Sequence, residues 1–272
     1  AVLDAVIEPV PVFVEETAIQ KALHEHEQRE GWSLNDGQQS LARHLLSCGT
    51  LAATGVGPAG TGKTASMKLV ANTWRTQGRN VIGLAPSAAA ADVLSDDIEA
   101  QATTIDSLTF TWSGRHPTKP GKSLEALPID INPGDMLLVD EAGMASTKNI
   151  AALIEIAREA GAIVRFVGDP LQLDAVESGG LFGAMTRTGT TATLTDVMRF
   201  KDDHEQSAAS LQIREGNAEG LDLHFERGWV NGGTRNAMLE DAAANYLEDL
   251  AAGRKALLLL SLIHISEPTR RY

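Results

Sequence analysis

The chain predicts an α/β fold in which a parallel sheet is covered by helices on both faces. Three observations carry that prediction. Short apolar runs at 51–56, 80–86, 136–140 and 162–169 alternate with helical stretches of ordinary length. The runs are almost continuously apolar, the pattern of strands buried on both sides. A glycine-rich loop stands between the first run and the helix that follows it.

The elements follow in chain order. Residues 15–30 (EETAIQKALHEHEQRE) read as a charged helix closed by Gly31. Asn35 or Asp36 caps a second helix that runs through Ser47, with Leu41, Leu45 and Leu46 on one face. LAATGV (51–56) is a small-residue strand, and Thr64–Gln77 is a helix with Gly78 at its carboxyl end. NVIGLAP (80–86) is a buried strand, and Ser87 opens a helix whose run Ala88, Ala89, Ala90, Ala91 is a strong helix start. TTIDSLTF (103–110) gives a short strand or turn and then a helix. Ser113–Lys122, rich in Gly, Pro and charge, reads as a loop. MLLVD (136–140) is a strand, Thr147–Ala160 a helix and AIVRFVGD (162–169) another strand. A helix around Arg235–Ala252 and a strand Lys255–Leu259 complete the reading.

Length and composition bound the function. The chain has 272 residues, enough for one or two domains, with 43% hydrophobic and 22% charged residues. Its net charge is −13, the opposite of a dedicated duplex-DNA binder, so any nucleic-acid contact must be a local groove. The single cysteine, Cys48, excludes an internal disulfide framework and cysteine-clustered zinc, and reads as a buried small side chain in a reducing compartment. No run of 18 apolar residues occurs, and residues 1–14 lack a basic start and a long apolar stretch. The expectation is a cytoplasmic protein without membrane association. The first residue is Ala1, which suggests a piece of a longer chain. Residues 260–270 (LSLIHISEPTR) resemble the in-frame translation of a sequencing-library adapter, so 260–272 is set aside as a non-native tail. The alternative is a native strand in KALLLLSLIHI (255–265).

The strongest motif is Gly57-Pro58-Ala59-Gly60-Thr61-Gly62-Lys63-Thr64, which satisfies G-x-x-x-x-G-K-[ST] between a strand and a helix. Its glycines let main-chain N–H groups turn around phosphate oxygens, and the helix start adds positive potential. Lys63 then reaches the β and γ phosphates, and the Thr64 hydroxyl holds Mg²⁺. Asp140 and Glu141 end an apolar strand. Asp140 suits metal binding through water, and Glu141 suits activation of the attacking water. Gln172, in Gly168-Asp169-Pro170-Leu171-Gln172-Leu173, stands where it can sense the γ-phosphate; the alternative is a polar loop side chain. Arg199, in LTDVMRF (194–200), is a candidate charge clamp on the transition state or else a surface arginine. His24 and His26 share a charged helix and read as a solvated face rather than a metal site.

This ordered set of motifs resembles superfamily-1 DNA helicases: Leu34…Gln38, GPAGTGKT, GLAPSAAAADVL, TTIDSLTF, LLVDEAGM, VGDPLQL and LTDVMRF. Over residues 32–225 it is most similar to the helicase part of MobF-type conjugative relaxases, with RFKDDHEQSAASLQIREGNAEGL (199–221) as the distinguishing string. The alpha subunit of exonuclease V is the neighbouring family. The resemblance implies a RecA-like ATPase domain at 32–215, behind an N-terminal helical linker at 1–31. It also implies the truncated start of a second RecA-like lobe at 216–259. Gln38 matches an adenine-reading glutamine. Gly57, Pro58, Ala59, Gly60, Thr61, Gly62, Lys63 and Thr64 match the ATP and Mg²⁺ site, with Thr64 and Asp140 on the metal. Glu141, Gln172 and Arg199 join Lys63 as the catalytic set. Pro86, Ser87, Thr104 and Ser107 fall in segments similar to the family's single-stranded DNA contacts, although each fits a helix cap as well. The expected partners are single-stranded DNA and the remainder of the same polypeptide: the second lobe and a relaxase domain. The relaxase's nicking tyrosine and histidine cluster are missing: Tyr246 lies in the late helix and Tyr272 in the tail. The expectation is an ATP-dependent motor domain of a plasmid-transfer relaxase that, by itself, hydrolyses ATP slowly and unwinds no duplex. The alternatives are a repair helicase, an ATP-binding scaffold without motor activity and, with little support from LVDEAGM or VGDPLQL, a small-molecule kinase.

Overall fold

A computed structural model describes residues 2–11, 13–113, 115–116, 119–120, 124, 127, 129–172, 180–195, 200 and 203–259. Six strands form one sheet: β1 (Ala52–Val56), β2 (Val81–Ala85), β3 (Ala102–Thr104), β6 (Met136–Val139), β7 (Ile163–Gly168) and β8 (Thr191–Thr193). Their order is β3-β2-β6-β7-β1-β8, and every pairing is parallel. Parallel pairing forces each connection to cross a face of the sheet, and the helices between strands do so. These are α3 (Lys63–Thr76), α4 (Ala88–Ile98), α5 (Ile105–Trp112), α6 (Thr147–Ala160) and α7 (Leu181–Thr188).

The strands feed two cores, one on each face. Ile82, Leu84, Leu137, Val139, Val164 and Phe166 pack with α5, α6 and α7. Val81, Ala85, Met136, Leu138, Ile163 and Val167 pack on the other face with α3, α4, α1 (Glu16–Glu30) and α2 (Asp36–Ser47). Strand alternation therefore serves two apolar layers, which is why the sequence shows continuous apolar runs. The helix reading around 15–47 holds in detail. Gly31 closes α1 in the left-handed conformation. Asn35 caps α2 in a reciprocal box with Gln38. Ala5, Val6, Val14 and Ile19, from the first 31 residues, are all buried in these cores.

Two expectations are corrected, and one strand is added. Residues 115–116 and 119–120, expected as loop, form the short antiparallel pair β4 (Arg115–His116) and β5 (Lys119–Pro120). Residues 255–259 form no strand. They are apolar enough for one, but among the described residues no strand pairs with them, and an unpaired strand leaves its backbone groups unmet. The edge strand β8, with α7 before it, went unread. Thr191-Ala-Thr193 is too short for a periodic signal, and β8 is held by β1 and by a 2.7 Å contact between the Thr54 and Thr191 hydroxyls.

Beyond the sheet lie α8 (His204–Arg214), a 3₁₀ turn at Ala218–Leu221, α9 (Asp222–Glu226) and α10 (Arg235–Ala251). α10 buries no side chain. No helix among the described residues is long and apolar enough to cross a membrane. The tail at 260–272 lies outside the described residues.

Candidate functional site

In a parallel sheet all strands end on one edge, and a crevice opens where successive connections leave in opposite directions. Here the chain leaves β1 toward β2 and leaves β7 toward β8, on the other side of β1. The crevice therefore lies at the carboxyl ends of β1 and β7. The residues after β1, β6 and β7 meet there.

The loop after β1 is tied to β7 by a hydrogen bond from Gly57 N to Gly168 O, 3.0 Å. Gly60 and Gly62 have φ of 80° and 83°, a conformation that L side chains avoid. A Cβ on Gly62 would also lie 2.0 Å from Gln38 Nε2. Gly62 caps α3 without any side-chain acceptor, so no side chain occupies the amides of the first turn in the way a serine or aspartate cap would. That is an anion site made of backbone. Lys63 is buried beneath it. Its Nζ lies 2.9 Å from Gly57 O, 3.5 Å from Pro58 O and 3.7 Å from Glu141 Oε1. Among the described residues this buried ammonium is held by carbonyls and one part-exposed carboxylate, which leaves it ready for a stronger anionic partner.

Asp140 and Glu141 follow β6. Glu141 sits at φ 50°, ψ 44°, left-handed for a residue with a side chain, at a cost of about 1–2 kcal/mol. Its amide donates to Asp140 Oδ1 at 2.9 Å, which turns the chain at once into the 3₁₀ turn Ala142–Met144. Burial, and next the adjacent Glu141 charge, push the Asp140 carboxyl up to about 6, against the pull of Lys63. Thr64 is exposed at the start of α3. Among the described residues no three His, Cys, Asp or Glu side chains gather as a metal cage. Magnesium arriving with nucleotide phosphates needs only one or two protein oxygens. The Thr64 hydroxyl and a part-buried Asp140 carboxyl destabilised by its neighbour suit that role.

The other expected residues divide. Gln38 is buried: its Oε1 accepts from Asn35 N, and its Nε2 donates to Thr61 O at 3.3 Å. Ser66 Oγ donates to Gln38 O at 3.0 Å. Gln38 thus buttresses the phosphate loop, a contact the sequence reading did not contain. Gln172 lies in the turn after β7, its amide 3.4 Å from Asp169 O. Pro86 and Ser87 follow β2. The β2–β3 register sets Ala85 beside Thr104, which brings them to the same edge as Thr104 and Ser107. Ser87 and Thr104 accept from Ala90 N and Ser107 N and are the caps of α4 and α5. Arg199 lies outside the described residues. His26 departs from the solvated-face expectation. It is buried edge-on to Trp32, 4.9 Å between ring centroids, and burial pushes its imidazole down. Trp32, just past Gly31, covers that face of α1.

Two arginines escaped the sequence reading. Arg214 forks onto Asp169, with Nη2 at 2.6 Å and Nε at 2.9 Å. Burial alone would raise the Asp169 carboxyl, but the Arg214 fork and the Leu171 amide outweigh it and hold it below the ordinary value. Arg165, fully buried in β7, donates to the carbonyls of Leu45, Cys48, Thr50 and Val164. A polar residue inside VRFVGD was its only signal.

With this geometry in hand, the AAA domain model of the AAA_30 family matches residues 33–235. The chain belongs to the AAA_30 family. A conjugal transfer protein TraA of Rhizobium radiobacter is 32% identical over 206 residues, 76% of this chain and 17% of that protein. A TraA of Agrobacterium fabrum is 29% identical over 186 residues, 68% of this chain and 16% of that protein. The chain thus spans about a sixth of the length of these relatives. Among solved structures, the DUF1998 helicase MrfA bound to DNA aligns with 70% of this chain and 31% of its own, at 15% identity and a TM-score of 0.43.

Proposed function

We propose that this AAA_30 domain is the ATP-hydrolysing motor of a conjugal DNA-transfer protein, working on single-stranded DNA. The observation that carries the reading is the position of Lys63, buried under an open cradle of amides and 3.7 Å from Glu141, which follows β6, two strands from β1. A structural glycine turn has no use for a buried ammonium facing a strained glutamate.

The chemistry follows from the residues. Main-chain amides of Gly60–Thr64 and the α3 amino end bind the triphosphate tail. Lys63 exchanges its carbonyl contacts for β- and γ-phosphate oxygens and offsets the charge that grows as the bond to the γ-phosphorus breaks. Glu141 orients a water in line and draws its proton as the oxygen attacks. Gln172 contacts the γ-phosphate and distinguishes ATP from ADP. Gln38, seated on the loop, would have to exchange one of its present amide bonds to read the adenine base. Arg199 supplies the clamp. Thr64 and Asp140 would hold Mg²⁺, and the charge it would supply there would favour departure of the leaving phosphate.

Pro86, Ser87, Thr104 and Ser107 carry the proposed DNA contact at the edge of β2 and β3. Small hydroxyls and helix amino ends hold sugar and phosphate without much positive charge, which is compatible with a net charge of −13. Residues 216–259 are read as the opening of a second lobe and 1–31 as the approach to the first. The compartment that goes with this reading is the cytoplasm, and the partner is the rest of a longer polypeptide. ATP turnover with and without single-stranded DNA tests it. The parent should turn over ATP faster with DNA, and Lys63→Ala should show neither rate. Equal turnover by both proteins would reject the motor.

A further inference from the structure

The end of β7 is held from outside the sheet. Asp169, with a side chain 1% exposed, is where that hold is made. Its Oδ1 accepts from Leu171 N at 3.0 Å, and its own carbonyl accepts from Gln172 N at 3.4 Å. These two bonds shape the turn that presents Gln172. The same carbonyl presses on the turn after Glu141, since a Cβ on Gly143 would lie 2.6 Å from it. Both carboxylate oxygens then take the guanidinium fork of Arg214, the last residue of α8. The other end of α8 is fixed in the same way: Asp203 accepts from Gln206 N and pairs with Arg227. α8 is therefore a strut between the β7 turn and the end of α9 at Arg227.

We propose that Arg214 is a positioning residue for the γ-phosphate sensor: through Asp169 it sets the turn that carries Gln172, and so links nucleotide state to α8. The inference rests on the reading of Gln172 as that sensor. A buried carboxylate is fixed in direction only while its fork is present. Without Arg214, Oδ2 of Asp169 loses its donor and the carboxylate is left to the Leu171 amide of the same turn. A lysine keeps the charge but loses the two-point geometry.

The test compares the parent, Arg214→Met, Arg214→Lys, Gln172→Ala and Arg214→Met/Gln172→Ala in the full chain. It reads single-turnover hydrolysis and the ratio of affinities for a non-hydrolysable ATP analogue and for ADP. Arg214→Met is expected to slow hydrolysis about 10-fold, equivalent to about 1.4 kcal/mol, and to flatten the affinity ratio. Arg214→Lys should fall between it and the parent. In the Gln172→Ala background Arg214→Met should add no further loss. A purely structural role would lower the melting temperature and leave the affinity ratio unmoved, which overturns the proposal. Losses that multiply in the double variant also overturn it. Should Arg214→Met fail to fold, the lysine variant decides alone, and a parental affinity ratio there is a rejection. Gln172→Ala with parental rate and ratio removes the sensor reading and this proposal together. An impaired Gln172→Ala beside a parental Arg214→Met removes this proposal only.

Discussion

Lys63 and Arg165 are both buried cations in a parallel-sheet domain, and they stand at opposite edges of it. Arg165 reaches the amino edge, where its guanidinium meets four carbonyls, two of them from the carboxyl end of α2. Burial pulls it down to about 10, well above neutral pH, so it stays charged, with a hydrogen bond from each of its three nitrogens. Lys63 lies at the carboxyl edge, with one good carbonyl bond and a loose contact to Glu141. Around it stand a left-handed glutamate, an aspartic acid raised to about 6 and helix amides without a side-chain cap. The contrast teaches where this domain keeps its unspent interactions. One edge is closed by mutual satisfaction, and the other is left open for a ligand to complete. Asp135 repeats the lesson at the closed edge, accepting from Asn80 N at 2.9 Å and Asn132 N at 2.8 Å.

Substitutions at the two cations should break along this line. Lys63→Ala is expected to cost about 10²–10³-fold in turnover, the effect of losing one pre-aimed donor, with little change in melting temperature. A steady-state ATPase assay beside a thermal melt reads both. Arg165→Met should do the reverse. It leaves several buried carbonyls without a donor, each worth about 1–3 kcal/mol, so the melting temperature should drop by several degrees. The KM for ATP in the folded fraction should stay within about twofold, a change of less than 1 kcal/mol. A normal melt for Arg165→Met would show that the closed edge is less tightly bonded than the geometry indicates.

The acidic edge gives a smaller effect with a definite sign. The Asp140 carboxyl is raised in the folded state, so the folded protein binds more protons than the unfolded chain between pH 6 and the ordinary carboxylate value. The contribution of this group to nucleotide-free stability therefore grows as pH falls through about 6. Metal binding runs the other way, because the ligand must be ionised. Asp140→Asn should raise nucleotide-free stability at pH 7 by on the order of 1 kcal/mol and abolish the magnesium dependence of nucleotide affinity. Melts at pH 5 and 7 with and without magnesium read both. A stability that falls on acidification in the parent, and equally in the variant, would show that Asp140 does not govern the response.

The sequence revealed the open edge better than the closed one, for physical reasons. A glycine-lysine loop between strand and helix, and paired acids at a strand end, are local patterns, and Lys63, Asp140 and Glu141 came from such patterns. Asn35 was legible as a cap candidate, but its box with Gln38 and the seating of Gln38 on Thr61 appear only in the structure. Arg165 and the Arg214–Asp169 pair join residues separated by 45 positions or more in most of their contacts. No local pattern encodes such a partner. β8 was missed because three residues between turns carry no period, and the 255–259 segment was misjudged because apolar content alone does not supply a pairing edge.

The most direct measurement is nucleotide trapping by Glu141→Gln. If the open edge is a hydrolytic site, this variant keeps ATP affinity within a few-fold of the parent, while single-turnover hydrolysis falls by about 10²–10⁴, the usual worth of a positioned general base. Parental hydrolysis by Glu141→Gln would contradict the account, because the strained glutamate beside Lys63 would then have no part in the reaction.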